Sequence, residues 1–195
     1  MRARRRSVRR GARQAQALNQ AGRTRLATAD IRPVTPMSWW ILPTTADIGL
    51  RSYAASAGRL IEETTLGMQS ILLSEVGANS LPGLKVEEGV WQVAVDEGTP
   101  TDLMLVHWLE DVLYQAEVEN RWLVALSVML TDVGIQAQVS FVDSDSVERE
   151  VEIKAVTRHE LMFQEVPAGV EVPGAPPDVP SFEGPGWMAQ VIFDI

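Results

Sequence analysis

Two acidic residues, far apart in the chain, are the side chains best placed to do chemistry. Asp47 lies in the segment TTADIG at residues 44–49, and Asp194 is the penultimate residue, directly after an apolar run. If that run forms a strand to its end, it holds Asp194 beside the α-carboxylate of Ile195. Two anionic groups repel each other, and burying them together usually requires a cation. Because oxygen ligands suit hard ions, the pattern indicates a candidate site for Ca²⁺ or Mg²⁺.

Each of these residues also has a structural interpretation. Asp47 can accept hydrogen bonds from the amides of its own turn. Asp194 can belong to a solvated, frayed end, although the apolar run before it favours a docked strand. Lys154 lies in an apolar-flanked segment, where it either extends outward or pairs with a buried acid. His159, taken alone, is more often structural than functional.

Familiar catalytic patterns are missing from the sequence. It has no nucleotide-binding glycine loop, no nucleophile elbow and no histidine pair with metal-binding spacing. It also has no cysteine, which excludes disulfides, thiolate nucleophiles and zinc sites of the cysteine type. The sequence therefore favours a binding or accessory role over catalysis, with no catalytic residue assigned.

Charge is divided sharply along the chain. Residues 1–36 contain ten arginines and one acidic residue, which give a net charge of +9. Because the whole chain has a net charge of −9, residues 37–195 carry a net charge of −18. The acidic part is unlike a surface that binds phosphate backbones directly, and it favours cations or a basic partner. The basic leader is predicted to be disordered. It is interpreted either as an arm that touches an acidic surface or nucleic acid, or as a segment without function that precedes a start at Met37.

Length and composition predict the class of protein. At 195 residues and 46% hydrophobic content, the chain can bury one core, which we assign to residues 37–195. No apolar run approaches the roughly 18 residues that span a bilayer, and no secretory signal pattern follows the basic start. A soluble, cytoplasmic protein without a membrane partner is expected, and its oligomeric state stays open.

The pattern of apolar residues predicts an α+β domain with a largely antiparallel or mixed sheet and two main helices. A helix is expected over residues 56–75, and another over residues 101–118 with Thr101 as its N-cap. The segment 167–186, with six prolines and four glycines, is predicted to be a loop. Strands are expected at residues 39–42, 90–96, 122–130, 135–141, 147–156, 161–165 and 188–193, and residues 49–54 are predicted to be a second short strand or an extended turn.

Four motifs occur in one order along the chain: TADIGL at residues 45–50, HWLEDVLY at 107–114, EIKAVTRHEL at 152–161 and WMAQVIFDI at 187–195. In order and spacing they resemble the archease family over essentially all of residues 37–195. The resemblance implies a small acidic α+β accessory factor for an RtcB-type RNA ligase in tRNA splicing and RNA repair. Such a factor promotes guanylylation and multiple turnover of the ligase, and contacts RNA only indirectly.

The resemblance also implies a set of site residues. A divalent cation, described as calcium in the family, would be bound by Asp47, Asp194 and the C-terminal residue Ile195. The strand motif of the family matches this chain at Lys154, Thr157 and His159 as a candidate functional motif.

This chain departs from the family pattern at two positions. Thr44 stands where the family usually has histidine, and Arg158 where it often has an aromatic residue. Two other functions stay open: a metal-dependent hydrolase with His159 as its general base, and a chaperone-like interaction protein that uses its acidic surface without metal.

Overall fold

The computed structural model describes residues 38–42, 44, 46–175 and 177–195. The predicted disordered leader, residues 1–36, and the alternative start at Met37 lie outside the described residues. The division of the chain into a leader and one domain therefore stays a prediction.

Three helices and nine strands make up the described fold. The helices are α1 (Ala57–Leu72), α2 (Glu75–Ser80) and α3 (Thr101–Glu117). The strands are β1 (Trp39–Leu42), β2 (Ile48–Ala54), β3 (Glu87–Ala94), β4 (Arg121–Thr131), β5 (Gly134–Asp143), β6 (Ala155–Val166), β7 (Glu171–Val172), β8 (Phe182–Glu183) and β9 (Gly186–Asp194). The predicted α+β class is confirmed.

The strands form two larger antiparallel sheets instead of the single sheet that was expected. The first has the order β1-β2-β9-β6 and the second the order β3-β5-β4, while β7 pairs only with β8. Every pair in these sheets is antiparallel. The alternation of apolar residues predicts strands but does not determine which strands become neighbours.

The two long helices lie between the two sheets. α1 packs against β2 of the first sheet and β4 of the second, and α3 packs against β6 and β4. α1 is accordingly buried on almost every side, as is typical of a helix enclosed in a core. Within the part of the chain that the structure describes, no helix has the length and apolar character that crossing a membrane requires.

The first helix ends earlier than predicted. It is capped by Ser56, whose hydroxyl accepts from the Arg59 amide, and it ends at Leu72. Ser74 then caps the short α2 by accepting from the Gly77 amide at 2.9 Å. A hydroxyl residue that begins a new helix therefore interrupts what the apolar pattern presents as one continuous helix. The predicted N-cap Thr101 is also wrong, because Pro100 occupies that position and Thr101 is the first helical residue.

The predicted strand at residues 147–156 is wrong, since β6 begins only at Ala155. Residues 148–150 are bonded to residues 72–74 at the end of α1, whereas Lys154 N–H donates to Asp194 on β9. Ser74 N–H donates to the Glu148 carbonyl, and Glu150 N–H donates to the Leu72 carbonyl. Val147 and Ile153 are buried in the core. The alternation of apolar residues therefore indicates that these side chains are buried, although neither residue pairs with a strand.

The proline- and glycine-rich residues 167–185, here called the cover segment, lie across the face of the first sheet that is turned away from the helices. The Phe182 ring stacks on Tyr53 at 4.6 Å, and the Tyr53 hydroxyl donates to the Pro180 carbonyl. Val179 packs with Leu42 and Ile192. The predicted loop is therefore largely irregular, but it contains the two-residue strands β7 and β8 and its last predicted residue, at 186, opens β9.

Asp111 on α3 gives the stability of the fold a pH dependence. Burial raises the pKa of its carboxyl, against the opposing effect of a hydrogen bond from Gln115. Between the unfolded and folded pKa values the folded chain binds more protons, so stability falls as the pH rises through that interval. We expect Asp111→Asn to increase the free energy of urea unfolding at neutral pH. The increase should vanish as the pH falls to about 4, the usual pKa of aspartate.

A control for the change in charge is available in the exposed turn between β4 and β5. Asp132→Asn removes the same charge from an exposed position. An equal gain in both variants, or a gain from Asp111→Asn that is independent of pH, would contradict the assignment to burial.

Candidate metal centre at the chain terminus

Strand pairing brings the two predicted acidic ligands together. The pairing of β2 with β9 ends at Ile48 and Phe193, and Asp47 and Asp194 are the residues that directly adjoin this pair. Phe193 is fully buried in the core beside the helices. Because side chains alternate between faces, the two acids belong to the opposite face of the sheet. These neighbouring positions make the two aspartates candidates to bind one cation, as the sequence predicts.

The third predicted ligand and the predicted lysine lie on the other side of β9. Ala155 on β6 is the partner of Asp194, and the Lys154 N–H donates to the Asp194 carbonyl at 2.8 Å. Lys154 lies directly before β6, and Ile195 lies directly after β9. The Lys154 side chain is exposed and makes no ion pair among the described residues, so it extends outward.

The terminus is docked but not buried. β9 is buried through Phe193, whereas Asp194 is exposed and Ile195 is 37% exposed. The prediction that the apolar run would bury Asp194 together with the terminal carboxylate is therefore wrong, because burial ends at Phe193. Water screens much of the repulsion between the acids, so burial does not make a cation obligatory. Like charges at neighbouring positions are still unfavourable without a counter-charge.

Thr44 has a backbone role at the position where the family usually has histidine. Its hydroxyl donates to the Asp47 carbonyl at 2.6 Å, and its N–H donates to the Leu42 carbonyl at 2.9 Å. Thr44 thus fixes the main chain that carries Asp47 and leaves the carboxylate itself untouched. Among the described residues the Asp47 carboxylate accepts no turn amide, which leaves both of its oxygens available to a cation.

Thr157 and His159 are not equally close to the acid pair. Thr157 is the partner of Ile192, which puts it on the face of Asp194 and two residues along the strand. His159 lies further along, inside an irregular part of β6 and not at a strand end as expected, and its imidazole is exposed. His159 Nε2 is 3.8 Å from Glu160, its nearest acidic group.

The donor set fits a hard cation. Two carboxylates and a terminal carboxylate supply only oxygen, which Ca²⁺ and Mg²⁺ prefer. In the described part of the chain, no group of three or more histidine, cysteine or acidic side chains could hold a metal ion. A site here therefore depends on the terminal carboxylate as well as on the two aspartates.

Gly49 is a residue of this region that sequence reasoning did not single out. A Cβ at this position would lie 2.8 Å from the Leu42 Cβ and 3.0 Å from the Ile192 Cδ1. Gly49 therefore lets β1 and β9 pack closely beside the acid pair. A glycine inside a strand pattern is the available signal, since it often marks a close approach of this kind.

The fold defines a class of small acidic α+β proteins in which the last strand lies in the centre of a sheet. A model of the Archease protein family (MTH1598/TM1083) matches residues 39–195. The chain belongs to the archease family. Membership implies an accessory protein of RNA ligation and tRNA processing.

Individual relatives agree with this assignment. The chain is 26% identical over 157 residues to Protein archease of Pyrococcus abyssi, covering 77% of this chain and 94% of that one. Against Protein archease of Pyrococcus furiosus the identity is 24% with the same coverage. The solution structure of protein 1598 of Methanobacterium thermoautotrophicum matches with a TM-score of 0.52 at 17% identity, covering 82% of this chain and 99% of that one. That likeness extends to the fold alone.

The close packing at Gly49 yields a stability prediction. Gly49→Ala forces the Leu42 and Ile192 side chains to shift, and overpacking of this kind costs about 1–3 kcal/mol. We expect that loss in the free energy of unfolding measured with urea. Gly83→Ala is the matched control, because a Cβ there meets nothing within 4 Å. Equal stability of the two variants would contradict the packing role.

Proposed function

We propose that this protein is a calcium-binding accessory factor that activates an RtcB-type RNA ligase in tRNA splicing or RNA repair. In this role it promotes guanylylation of the ligase and its multiple turnover. One observation supports the proposal: the pairing of β2 with β9 ends at Ile48 and Phe193, and Asp47 and Asp194 directly adjoin that pair, with Ile195 next in the chain. Family membership supports the accessory role.

Each residue has a defined part in this proposal. Asp47, Asp194 and the Ile195 carboxylate bind the cation, and the bound cation would neutralise these groups and keep coordination positions open to the partner. Lys154, tied to Asp194 through its amide, presents a positive charge at the edge of the site. Thr157 lies on the same face of the sheet, next to the acids.

Charge supports a protein as the direct partner. Residues 37–195 carry a net charge of −18, which repels a phosphate backbone and attracts a basic protein surface. Contact with RNA is therefore indirect, through the ligase.

The two other functions have less support. A hydrolase needs a general base within hydrogen-bond reach of an attacking water beside the ion. His159, its candidate, lies four residues beyond the position opposite Asp194 and inside an irregular part of β6. A chaperone-like protein that works without metal would use the acidic surface alone, and calcium binding distinguishes it from the proposal.

Calcium titration calorimetry tests the metal site. We expect Asp47→Asn and Asp194→Asn each to weaken calcium binding about tenfold or more, because affinity depends on the number of charged ligands. A few residues added after Ile195 should have a similar effect, since they remove the terminal carboxylate from its position. Asp132→Asn is the control for lost charge. Unchanged affinity in the extended protein would refute the terminal ligand.

A ligase assay tests the accessory role. With an RtcB-type ligase and a nicked RNA, we expect the protein to convert a single round of joining into multiple rounds and to increase the guanylylated fraction. Asp194→Asn should remove most of that stimulation, whereas Asp132→Asn should retain it. Stimulation by both variants to the same extent would show that the acid pair is not used. RNA cleavage by the protein alone would favour the hydrolase.

A further inference from the structure

The strand β6 contains an excursion next to the candidate metal centre. Thr157 is the partner of Ile192, and the next residue of β6 in register is Met162, the partner of Gln190. Residues 158–161, here called the bulge, therefore stand opposite a single residue of β9. Within the bulge, Glu160 has a φ of 50°, in the left-handed region that side chains other than glycine rarely adopt. Such a conformation persists only where surrounding contacts hold it.

Gln190 is the residue that contacts the bulge from the centre of the sheet. Its side chain is only 3% exposed. Its Nε2 group donates to the Glu160 carbonyl at 3.2 Å and contacts the Glu160 carboxylate at 3.4 Å. These contacts support the one residue of the bulge whose backbone is strained.

Arg51 sets the orientation of the Gln190 amide. Arg51 Nε and Nη2 both donate to Gln190 Oε1, at 3.1 and 2.6 Å. Because a guanidinium can only donate, the amide oxygen must face Arg51 and the NH₂ group must face Glu160. Arg51 Nη1 also donates to the Pro173 carbonyl at 2.9 Å. One row of contacts thus joins β2, β9, the bulge and the cover segment.

The bulge presents a cation, Arg158, that makes no ion pair among the described residues. Of the seven basic residues after residue 37, three form ion pairs, Arg51 bonds Gln190, and Arg121 lies over the Phe141 ring. The other two, Lys154 and Arg158, are exposed and make no ion pair among the described residues. Lys154 directly precedes β6, and Arg158 lies in the bulge of that strand. On an otherwise acidic surface, this edge is where an anionic group of a partner can be bound.

We propose that Gln190, oriented by Arg51, is a positioning residue that holds the bulge so that Arg158 binds a carboxylate of the ligase. The inference rests on the proposed function and adds a second point of contact beside the metal centre. A carboxylate on a protein is favoured over an RNA phosphate, because the charge of −18 on residues 37–195 opposes approach of a nucleic acid.

The first experiment measures the bulge without the ligase. Gln190→Glu keeps an acceptor for Arg51 but sets a carboxylate, with no proton to donate, against Glu160. By ¹⁵N relaxation we expect residues 158–161 to have order parameters of about 0.85 in the unaltered protein and below about 0.6 in this variant. Gln164→Glu makes the same charge change at an exposed position of β6 and should leave the bulge rigid. An equally rigid bulge in Gln190→Glu, or a mobile one in the unaltered protein, overturns the positioning role.

The second experiment measures stimulation of the ligase as a function of protein concentration. We expect Gln190→Glu and Arg158→Ala each to raise the concentration for half-maximal stimulation about tenfold, which is about 1.4 kcal/mol. The maximal stimulated rate and the calcium affinity should stay the same. Arg158→Lys should recover most of the effect, and Gln164→Glu should have none. If Gln190→Glu weakens calcium binding, or Arg158→Ala leaves the half-maximal concentration unchanged, the proposal is wrong.

The two experiments separate this inference from the proposed function. If the unaltered protein fails to stimulate the ligase, the proposed function falls and the contact of Arg158 with the ligase falls with it. The relaxation measurement still decides whether Gln190 holds the bulge. Direct binding of RNA that is lost in Arg158→Ala would assign the contact to phosphate and overturn the carboxylate.

Discussion

Pairing of β9 with two neighbours at once is the constraint on which the first sheet and the candidate site depend. β2 on one side and β6 on the other are each bonded to the same central strand. The pairing with β2 continues to Phe193 and the pairing with β6 to Asp194, so three segments that are distant in sequence meet near the end of β9. The acid of the first motif, the lysine of the third and the carboxyl terminus are neighbours for that reason alone. A slip of one residue on either side would turn the paired side chains to opposite faces.

Both faces of this strand are covered, and by different means. The helices cover one face, where Ser52 and Thr64 share a buried hydrogen bond and Trp108 donates to Thr65. The cover segment, tied down through Arg51 and Tyr53, covers the other. A strand buried on both faces has a nearly continuous apolar sequence, as residues 187–193 do. Asp194 is the one exposed residue of β9, so its carboxylate is accessible to solvent.

The sequence predicts those parts of the fold that have local signals. Alternation in β3, β4 and β5 and helical spacing in α1 and α3 identify these elements to within a few residues. The segment 147–154 misleads, because Val147 and Ile153 face the core while the backbone bonds to the end of a helix. The periodicity of apolar residues predicts which side chains are buried, but it does not predict which segment the backbone is hydrogen-bonded to. Strand order depends on long-range pairing, which no local pattern encodes.

The candidate site likewise has parts that the sequence predicts and parts that it does not. Asp47 and Asp194 are visible as isolated acids beside apolar runs, and the family motifs connect them. The exposure of Asp194, the backbone role of Thr44 and the row from Arg51 to Glu160 depend on the geometry of the turn and of the bulge. A positive φ at Glu160 could not be expected from sequence, since glutamate seldom adopts it.

The position of β9 in the chain has a consequence for how the molecule forms. β9 follows every other described strand in sequence, yet it lies inside the first sheet. During synthesis, the edges of β2 and β6 that pair with β9 therefore stay unpaired until residues 186–194 have left the ribosome. Pairing across so many residues is slow, because the loop must close before its contacts stabilise the fold. The corner that holds the acids is thus assembled in the same step that completes the sheet, and binding at that corner would report that the chain has finished folding.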